Sequence, residues 1–130
     1  MELVLVLPLF LLLVFSIVEF SLLMSAQTRI ANACQSGARM MSLTGASAEE
    51  IQSQVLSLLG PNLAKDCQID VQPAAHPGEI GHVSVRLPMK NASPDLLWIA
   101  GYGLAGRTMD SSASMVMERC REASVEFQTY

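Results

Sequence analysis

Few residues of this 130-residue chain have the types and spacing that catalysis or metal binding requires. The two histidines, His76 and His82, have five residues between them and no cysteine or carboxylate pair at the spacing of a zinc site. The sequence contains no P-loop, GxGxxG, HExxH or GxSxG motif. We therefore expect no catalytic residue, metal site, cofactor or small-molecule substrate, and we predict that the protein is not an enzyme.

The three cysteines leave one unpaired in any disulfide scheme. Cys67 opens one predicted strand and Cys120 closes another, so a bridge between them is possible if those strands are antiparallel neighbours. Such a bridge would imply an oxidising compartment. Strand phase argues against it, because Cys120 and Met117 fall on opposite faces of a regular strand. The sequence therefore does not decide whether this disulfide forms. Cys34 is expected to be a small buried thiol.

Composition restricts the class of protein further. The count of 8 Lys+Arg against 12 Asp+Glu gives a net charge of −4, with no basic block, so we expect no nucleic-acid partner. An apolar content of 51% with 15% charged residues argues against disorder. The apolar residues are concentrated at the start, where residues 3–24 carry only one charge.

This apolar stretch is long enough for a helix to cross about 30 Å of hydrocarbon, which takes about 20 residues. We predict a transmembrane helix at residues 1–26 and a soluble domain at residues 27–130. The alternative is a cleavable secretory signal, which needs a basic leader and a small-x-small cleavage site. No basic leader is present, and the best cut, after Ala26, places Met24 where a small residue is required.

Two glutamates lie at the ends of this segment. Glu2 is at the helix N-terminus, where the helix dipole favours an anion. It can lie among the headgroups, or it can neutralise the N-terminal amine of a neighbouring helix and set the packing register. Glu19 is expected to extend its carboxylate to the opposite headgroup layer.

The positive-inside rule favours an orientation with the soluble domain in the cytoplasm. Arg29 and Arg39, the basic residues nearest the span, follow it and would place the domain in the cytoplasm. A basic leader ahead of Met1 would reverse this assignment. Both orientations remain open at this stage.

Beyond the membrane segment, small and apolar residues recur at helical spacing to about residue 43, where Thr44 and Gly45 should end the helix. Ser47 and Glu50 form a predicted capping box, which starts a second, short helix at 48–59, ended by Gly60 and Pro61. Alternating patterns then predict a small antiparallel sheet of three strands, at 67–72, 82–88 and 109–119. The expected fold class is α+β, with the long helix packed together with the short one on the sheet.

An apolar stretch between the second and third strands predicts another short helix, capped by Ser93. Within it, Trp98 and Tyr102 are candidates for contact with a membrane surface or a partner subunit, because such rings prefer interfaces. The alternative for Trp98 is that it closes the small core.

Three ordered motifs carry a resemblance to a known family. The segments Met1-Glu2-Leu3-Val4-Leu5-Val6-Leu7-Pro8, Ile17-Val18-Glu19-Phe20 and Asn32-Ala33-Cys34-Gln35-Ser36-Gly37-Ala38-Arg39 resemble the TadE-like minor pilins, which read V-E-F-A-L-V-L-P, then V-E-F-G, then a segment close to A-A-R-E-G-A-R. The resemblance covers about the first forty residues. Leu3 replaces the usual aromatic residue, and Cys34-Gln35-Ser36 replaces a small-basic-acidic trio.

The resemblance implies a pilin-like fold and a membrane-anchored minor pilin or pseudopilin of a tight-adherence pilus or secretion system. It implies a single pass through the cytoplasmic membrane, a domain outside the cytoplasm, and partners among pilin subunits and the pilus assembly platform. A leader ahead of the first glutamate, with prepilin-type processing, belongs to the family pattern. An alternative function is a single-pass, envelope-anchored binding or sensor module that does not enter a filament.

The helical spacing and the three motifs together give candidate packing residues. The candidates for packing between subunits are Glu2, Pro8, Glu19 and Phe20. The candidates for packing of the long helix on its own domain are Gly37, Ala38 and Arg39.

Overall fold

The computed structural model describes residues 2–118 and, for Glu2, the backbone alone. The chain begins with a single α-helix of 43 residues, α1 (Glu2–Thr44), which at about 1.5 Å per residue is roughly 65 Å long. The helix ends where Gly45 adopts a left-handed conformation, with φ of 60°, and donates its N–H to the Met41 carbonyl at 3.1 Å. The predicted end at Thr44 and Gly45 is confirmed.

The second helix, α2 (Ala48–Leu63), starts at the predicted capping box. The Ser47 hydroxyl accepts the Glu50 N–H at 3.3 Å, and the Glu50 carboxylate accepts the Ser47 N–H at 2.9 Å. At Gly60 the backbone leaves the helical region, with φ 79° and ψ 169°, and one further turn follows from Pro61. The sequence predicted that this helix ends at residue 59. The structure has a kink at Gly60 instead, and α2 continues to Leu63.

Three antiparallel strands form one sheet in sequence order: β1 (Gln68–Gln72), β2 (Ile80–Pro88) and β3 (Thr108–Val116). β3 ends at Val116, short of the predicted 119, which lies outside the described residues. Side chains alternate across the sheet, so that Val83 and Val85 face the helices while Ser84 and Arg86 belong to the opposite, polar face. The predicted α+β class is confirmed, and the arrangement is consistent with a pilin-like fold.

The core lies between the two helices and the inner face of the sheet. α1 packs on β2, β3 and α2, and α2 also contacts β1. The buried apolar side chains are Ala26, Ile30, Ala33, Cys34, Ala38 and Met41 from α1, Ile51, Val55, Leu59 and Leu63 from α2, and Val83, Val85, Leu87, Met109 and Met117 from the sheet and its end.

The connection from β2 to β3 contains a 3₁₀ turn (Met89–Asn91) and a 3₁₀ helix (Leu96–Ala100). The predicted cap at Ser93 is wrong, because the helix begins after Asp95 and the Ser93 hydroxyl donates to the Pro94 carbonyl at 3.2 Å. The Asp95 carboxylate accepts the Leu104 N–H at 3.2 Å, which closes the loop that follows. We call residues 96–107 the cover segment, because its 3₁₀ helix lies against α1.

Gly37 sets how closely α1 and α2 approach. A Cβ at this position would lie 3.0 Å from Val55 Cγ2 and 3.3 Å from Ile51 Cγ2. We predict that Gly37→Leu lowers the free energy of unfolding of the full chain in detergent by about 1–3 kcal/mol, the usual cost of overpacking a core. Gln35→Leu, on the exposed side of the same helix, should stay within about 0.5 kcal/mol of wild type in urea unfolding. Equal stability of the two variants would contradict this packing.

Candidate assembly surface and the Glu19 pocket

The first part of α1 is an uncovered apolar helix segment. Every side chain from Leu3 to Val18 is exposed except that of Val14, which is half-buried. Leu5, for example, is 79% exposed and Phe10 is 59% exposed. The helix is long and apolar enough to cross a membrane. An apolar surface of this extent needs lipid or a partner protein to cover it. We call residues 3–18 the bare segment.

From Glu19 onward α1 acquires a buried face. Glu19, Ala26 and Ala33 are buried at seven-residue intervals, and Ile30 and Gly37 repeat the spacing. The contacts between α1 and the rest of the chain therefore begin inside the segment predicted as transmembrane, before residue 27.

Glu19 lies at the start of this face. Its side chain is 3% exposed, and neither carboxylate oxygen has a hydrogen-bond partner among the described residues. The expectation that Glu19 extends to the headgroups is wrong, because the cover segment packs across this side of α1 and encloses it. An enclosed carboxylate without a donor is costly, since burial removes its hydration without replacing it.

A cavity of about 310 Å³ adjoins Glu19, between α1 and the cover segment. Its walls are mainly apolar and include Phe20 and Leu23 from α1 and Leu97 and Leu104 from the cover segment. We call this cavity the Glu19 pocket.

Two polar side chains of the cover segment, those of Tyr102 and Arg107, also line the Glu19 pocket. Among residues 2–118 the one ion pair within 4 Å is Lys90–Asp66, at 3.8 Å, so Arg107 lines the pocket without pairing with Glu19. The lining of the pocket therefore includes one acidic and one basic residue, and no ion pair within 4 Å joins them.

The predicted packing residues differ in how far they are buried. Gly37 and Ala38 are buried, whereas Arg39 is exposed and does not pack on the domain. It lies two residues past Gly37, which turns it to the outer side of the helix. Pro8 and Phe20 are exposed and available to a neighbour, while Glu19 is enclosed by its own chain. The side chain of Glu2 lies outside the described residues.

Three large side chains of the cover segment are exposed: Trp98 at 67%, Ile99 at 72% and Tyr102 at 69%. The alternative that Trp98 closes the core is therefore wrong. At about 1.5 Å per residue, Glu19 lies roughly 25 Å along α1 from Glu2. The cover segment packs beside Glu19. The rings of Trp98 and Tyr102 therefore lie at the level where a spanning helix would leave the hydrocarbon, which is where aromatic residues are enriched.

The described cysteines are thiols. Cys34 is fully buried, as expected, and its thiol donates to the Ser111 carbonyl at 3.4 Å. Burial raises the pKa of Cys34 and that of the half-buried Cys67. The premise of the Cys67–Cys120 bridge is wrong, because β2 lies between β1 and β3, which makes them parallel and not adjacent. Cys120 itself lies outside the described residues.

The histidines lie in different elements. His76 is exposed in the loop after β1, and His82 is half-buried on β2, opposite Gln72 and Ser114. Between residues 2 and 118, no three histidine, cysteine or carboxylate side chains come together in a metal-binding group.

The match to known proteins falls on the helix. Residues 1–39 match the family of TadE-like proteins. The chain carries a TadE-like N-terminal segment. The matched segment includes the bare segment, Glu19 and the buried face of α1 as far as Gly37 and Ala38. Neither the curated proteins nor the solved structures include a match to the chain.

Sequence reasoning missed the residues that surround Glu19. Leu104 and Arg107 are more than eighty residues away in the chain, and only the path of the cover segment brings them to the TadE-like segment. A usable signal was present for Glu19 itself, since it lies seven residues before Ala26 and fourteen before Ala33, on the same helix face.

Cysteine accessibility tests the domain packing. With Cys120 changed to serine, we predict that iodoacetamide modifies Cys34 at least about tenfold more slowly than Cys67 at pH 8, because a fully buried thiol reacts only after local opening. Peptide mass spectrometry follows both sites. In urea the two rates should converge. Equal rates in the folded protein would contradict the burial of Cys34.

Trp98 is the only tryptophan, so its fluorescence reports the position of the cover segment directly. In vesicles containing the full chain, we predict stronger quenching by lipids with a nitroxide near the headgroup than by lipids with a nitroxide near the chain end. The reason is that Trp98 is exposed at the level of Glu19. Quenching by neither lipid would place the ring in water, away from the membrane.

Proposed function

We propose that the protein is a membrane-anchored minor pilin or pseudopilin of a tight-adherence pilus or a related secretion system. The TadE-like segment and the apolar helix fit a membrane protein associated with this pilus. The observation that carries the finer proposal is the bare segment, whose largely apolar side chains are exposed apart from the half-buried Val14.

In this proposal the bare segment is stored in lipid and packs laterally against the helices of other pilin subunits. Lipid and apolar side chains are equally good surroundings for it, so helix association depends on close van der Waals packing. Exposure of every side chain of the bare segment except the half-buried Val14 supports contact with more than one neighbour at a time. Pro8 and Phe20 belong to this contact surface.

The small domain is a non-catalytic head in this proposal. It lies outside the cytoplasm, attached to the cytoplasmic membrane by a single pass, and it contacts pilin subunits or the assembly platform through Trp98 and Tyr102. Their exposure, at 67% and 69%, supports that role. Nucleic acid and small-molecule substrates have no part in it.

Glu2 sets the register of helix packing by neutralising the N-terminal amine of a neighbouring helix. We predict that Glu2→Ala lowers the number of assembled pili by about tenfold, because a charge-assisted hydrogen bond contributes about 1.5–3 kcal/mol and each 1.4 kcal/mol is a factor of ten. Pilus counts by electron microscopy and subunit levels in the membrane are the measurements. Glu49→Ala, at an exposed carboxylate on α2, is the matched control. Unchanged counts for Glu2→Ala would refute the register role.

Photo-crosslinking tests the lateral contacts. We predict that a photoreactive phenylalanine at Phe10, in the bare segment, forms adducts with pilin subunits in cells that assemble the pilus. The same group at Gln68, on the polar face of the sheet, should form few. Adducts with lipid alone at Phe10, in cells with normal pili, would favour the anchored binding or sensor module instead.

A further inference from the structure

We propose that the Glu19 pocket binds the headgroup of an amine-bearing phospholipid, with the ammonium at Glu19, the phosphate at Arg107 and the start of an acyl chain on the apolar walls. The proposal does not rest on a role in pilus assembly, since an anchored module outside a filament would use the same site.

The first argument is the unsatisfied carboxylate. Both oxygens of Glu19 are enclosed and lack a donor among the described residues. The cations nearest in sequence or space do not supply one: Arg107 lines the pocket unpaired, and Arg29 is exposed in a separate groove beside Asn62. A donor to Glu19 therefore comes from outside the described residues, and the adjoining pocket is a route for it. A primary ammonium brings a positive charge and three N–H groups.

The second argument is depth. Glu19 lies roughly 25 Å along α1 from Glu2, close to the thickness of about 30 Å of a bilayer's hydrocarbon core. With Glu2 at the opposite boundary of the hydrocarbon, the pocket lies close to the layer of phospholipid headgroups. Trp98 and Tyr102 are exposed at the same level, as expected of residues at this boundary. A lipid reaches such a pocket by lateral diffusion, without crossing water.

The third argument is the pattern of charge and hydrophobicity. An ethanolamine headgroup carries an ammonium and a phosphate a few bonds apart, which matches the opposite charges of Glu19 and Arg107 at one cavity. A guanidinium is well suited to phosphate oxygens. Phe20, Leu23 and Leu104 then offer apolar surface to the chain. The volume of about 310 Å³ is at the small end of ligand pockets, which suits a headgroup and the first part of a chain.

This chemistry predicts an order among lipids. A choline headgroup has the same phosphate and a positive charge but no N–H to donate to Glu19. A glycerol headgroup has the phosphate without a cation. The pocket should therefore prefer ethanolamine over choline and glycerol, whereas nonspecific contact with acyl chains would not distinguish the three.

The test uses the full chain in bilayer discs that contain equal amounts of ethanolamine, choline and glycerol phospholipids with identical acyl chains. Native mass spectrometry after mild detergent release counts the lipid retained. We expect wild type to retain ethanolamine lipid about tenfold over choline lipid, the effect of one charge-assisted hydrogen bond. Glu19→Gln should bring the ratio near one, and Arg107→Ala should reduce retention of all three lipids. Glu49→Gln and Arg86→Ala, at exposed residues, are the matched controls.

Thermal unfolding in lipid-free detergent distinguishes lost binding from lost structure. Glu19→Gln replaces an unpartnered buried carboxyl with an uncharged amide of the same size, so its unfolding temperature should equal or exceed that of wild type. Equal retention of ethanolamine and choline lipids by wild type would overturn the proposal without recourse to any variant. Carbodiimide coupling of Glu19 to an amine of a protein subunit, with no lipid preference, would also overturn it and would identify a partner's cation as the occupant.

Discussion

The whole structure depends on one continuous helix whose surroundings change along its length. Over the bare segment α1 exposes mainly apolar side chains, and from Glu19 onward it is buried on one side. The domain core needs the second part, because small residues such as Ala33 and Gly37 let α2 and the sheet approach the helix closely. The first part contributes nothing to that core, so its cover has to come from lipid or from another subunit.

The change of surroundings occurs at Glu19, an acidic residue on an otherwise apolar buried face. Every other buried position on the face that begins at Glu19 is apolar or small, apart from Ser42, whose hydroxyl donates to the Val116 carbonyl at 2.8 Å. Glu19 is thus the one buried carboxylate side chain on the described part of this face. A leucine there would pack without the cost of an enclosed charge. A carboxylate at the point where the domain meets the membrane is therefore better explained by a ligand than by stability.

Local patterns predicted much of this architecture. The capping box at Ser47 and Glu50, the helix end at Gly45 and the alternation of Val83 and Val85 are decided by residues a few positions apart, and each was confirmed. The match of residues 1–39 to TadE-like proteins agrees with the resemblance drawn from the three motifs.

The errors at Glu19, Trp98 and Cys67 came from contacts distant in sequence. Glu19 is enclosed because the cover segment returns to α1, and Trp98 is exposed because the same segment leaves its outer side free. The premise for pairing Cys67 with Cys120 failed for a similar reason, since the order of strands in a sheet follows from the whole chain. Periodicity identifies which faces are buried, but it does not identify what covers them.

The central claim is that lipid surrounds α1 up to Glu19 and the domain covers one of its sides beyond that residue. A nitroxide scan of residues 3–35 in bilayers tests this claim most directly, with collision rates measured for oxygen and for a water-soluble nickel complex. The account predicts high oxygen accessibility at every position of the bare segment, and a helical period of about 3.6 residues beginning near Glu19. A water-accessible stripe with that period within the bare segment would contradict the account.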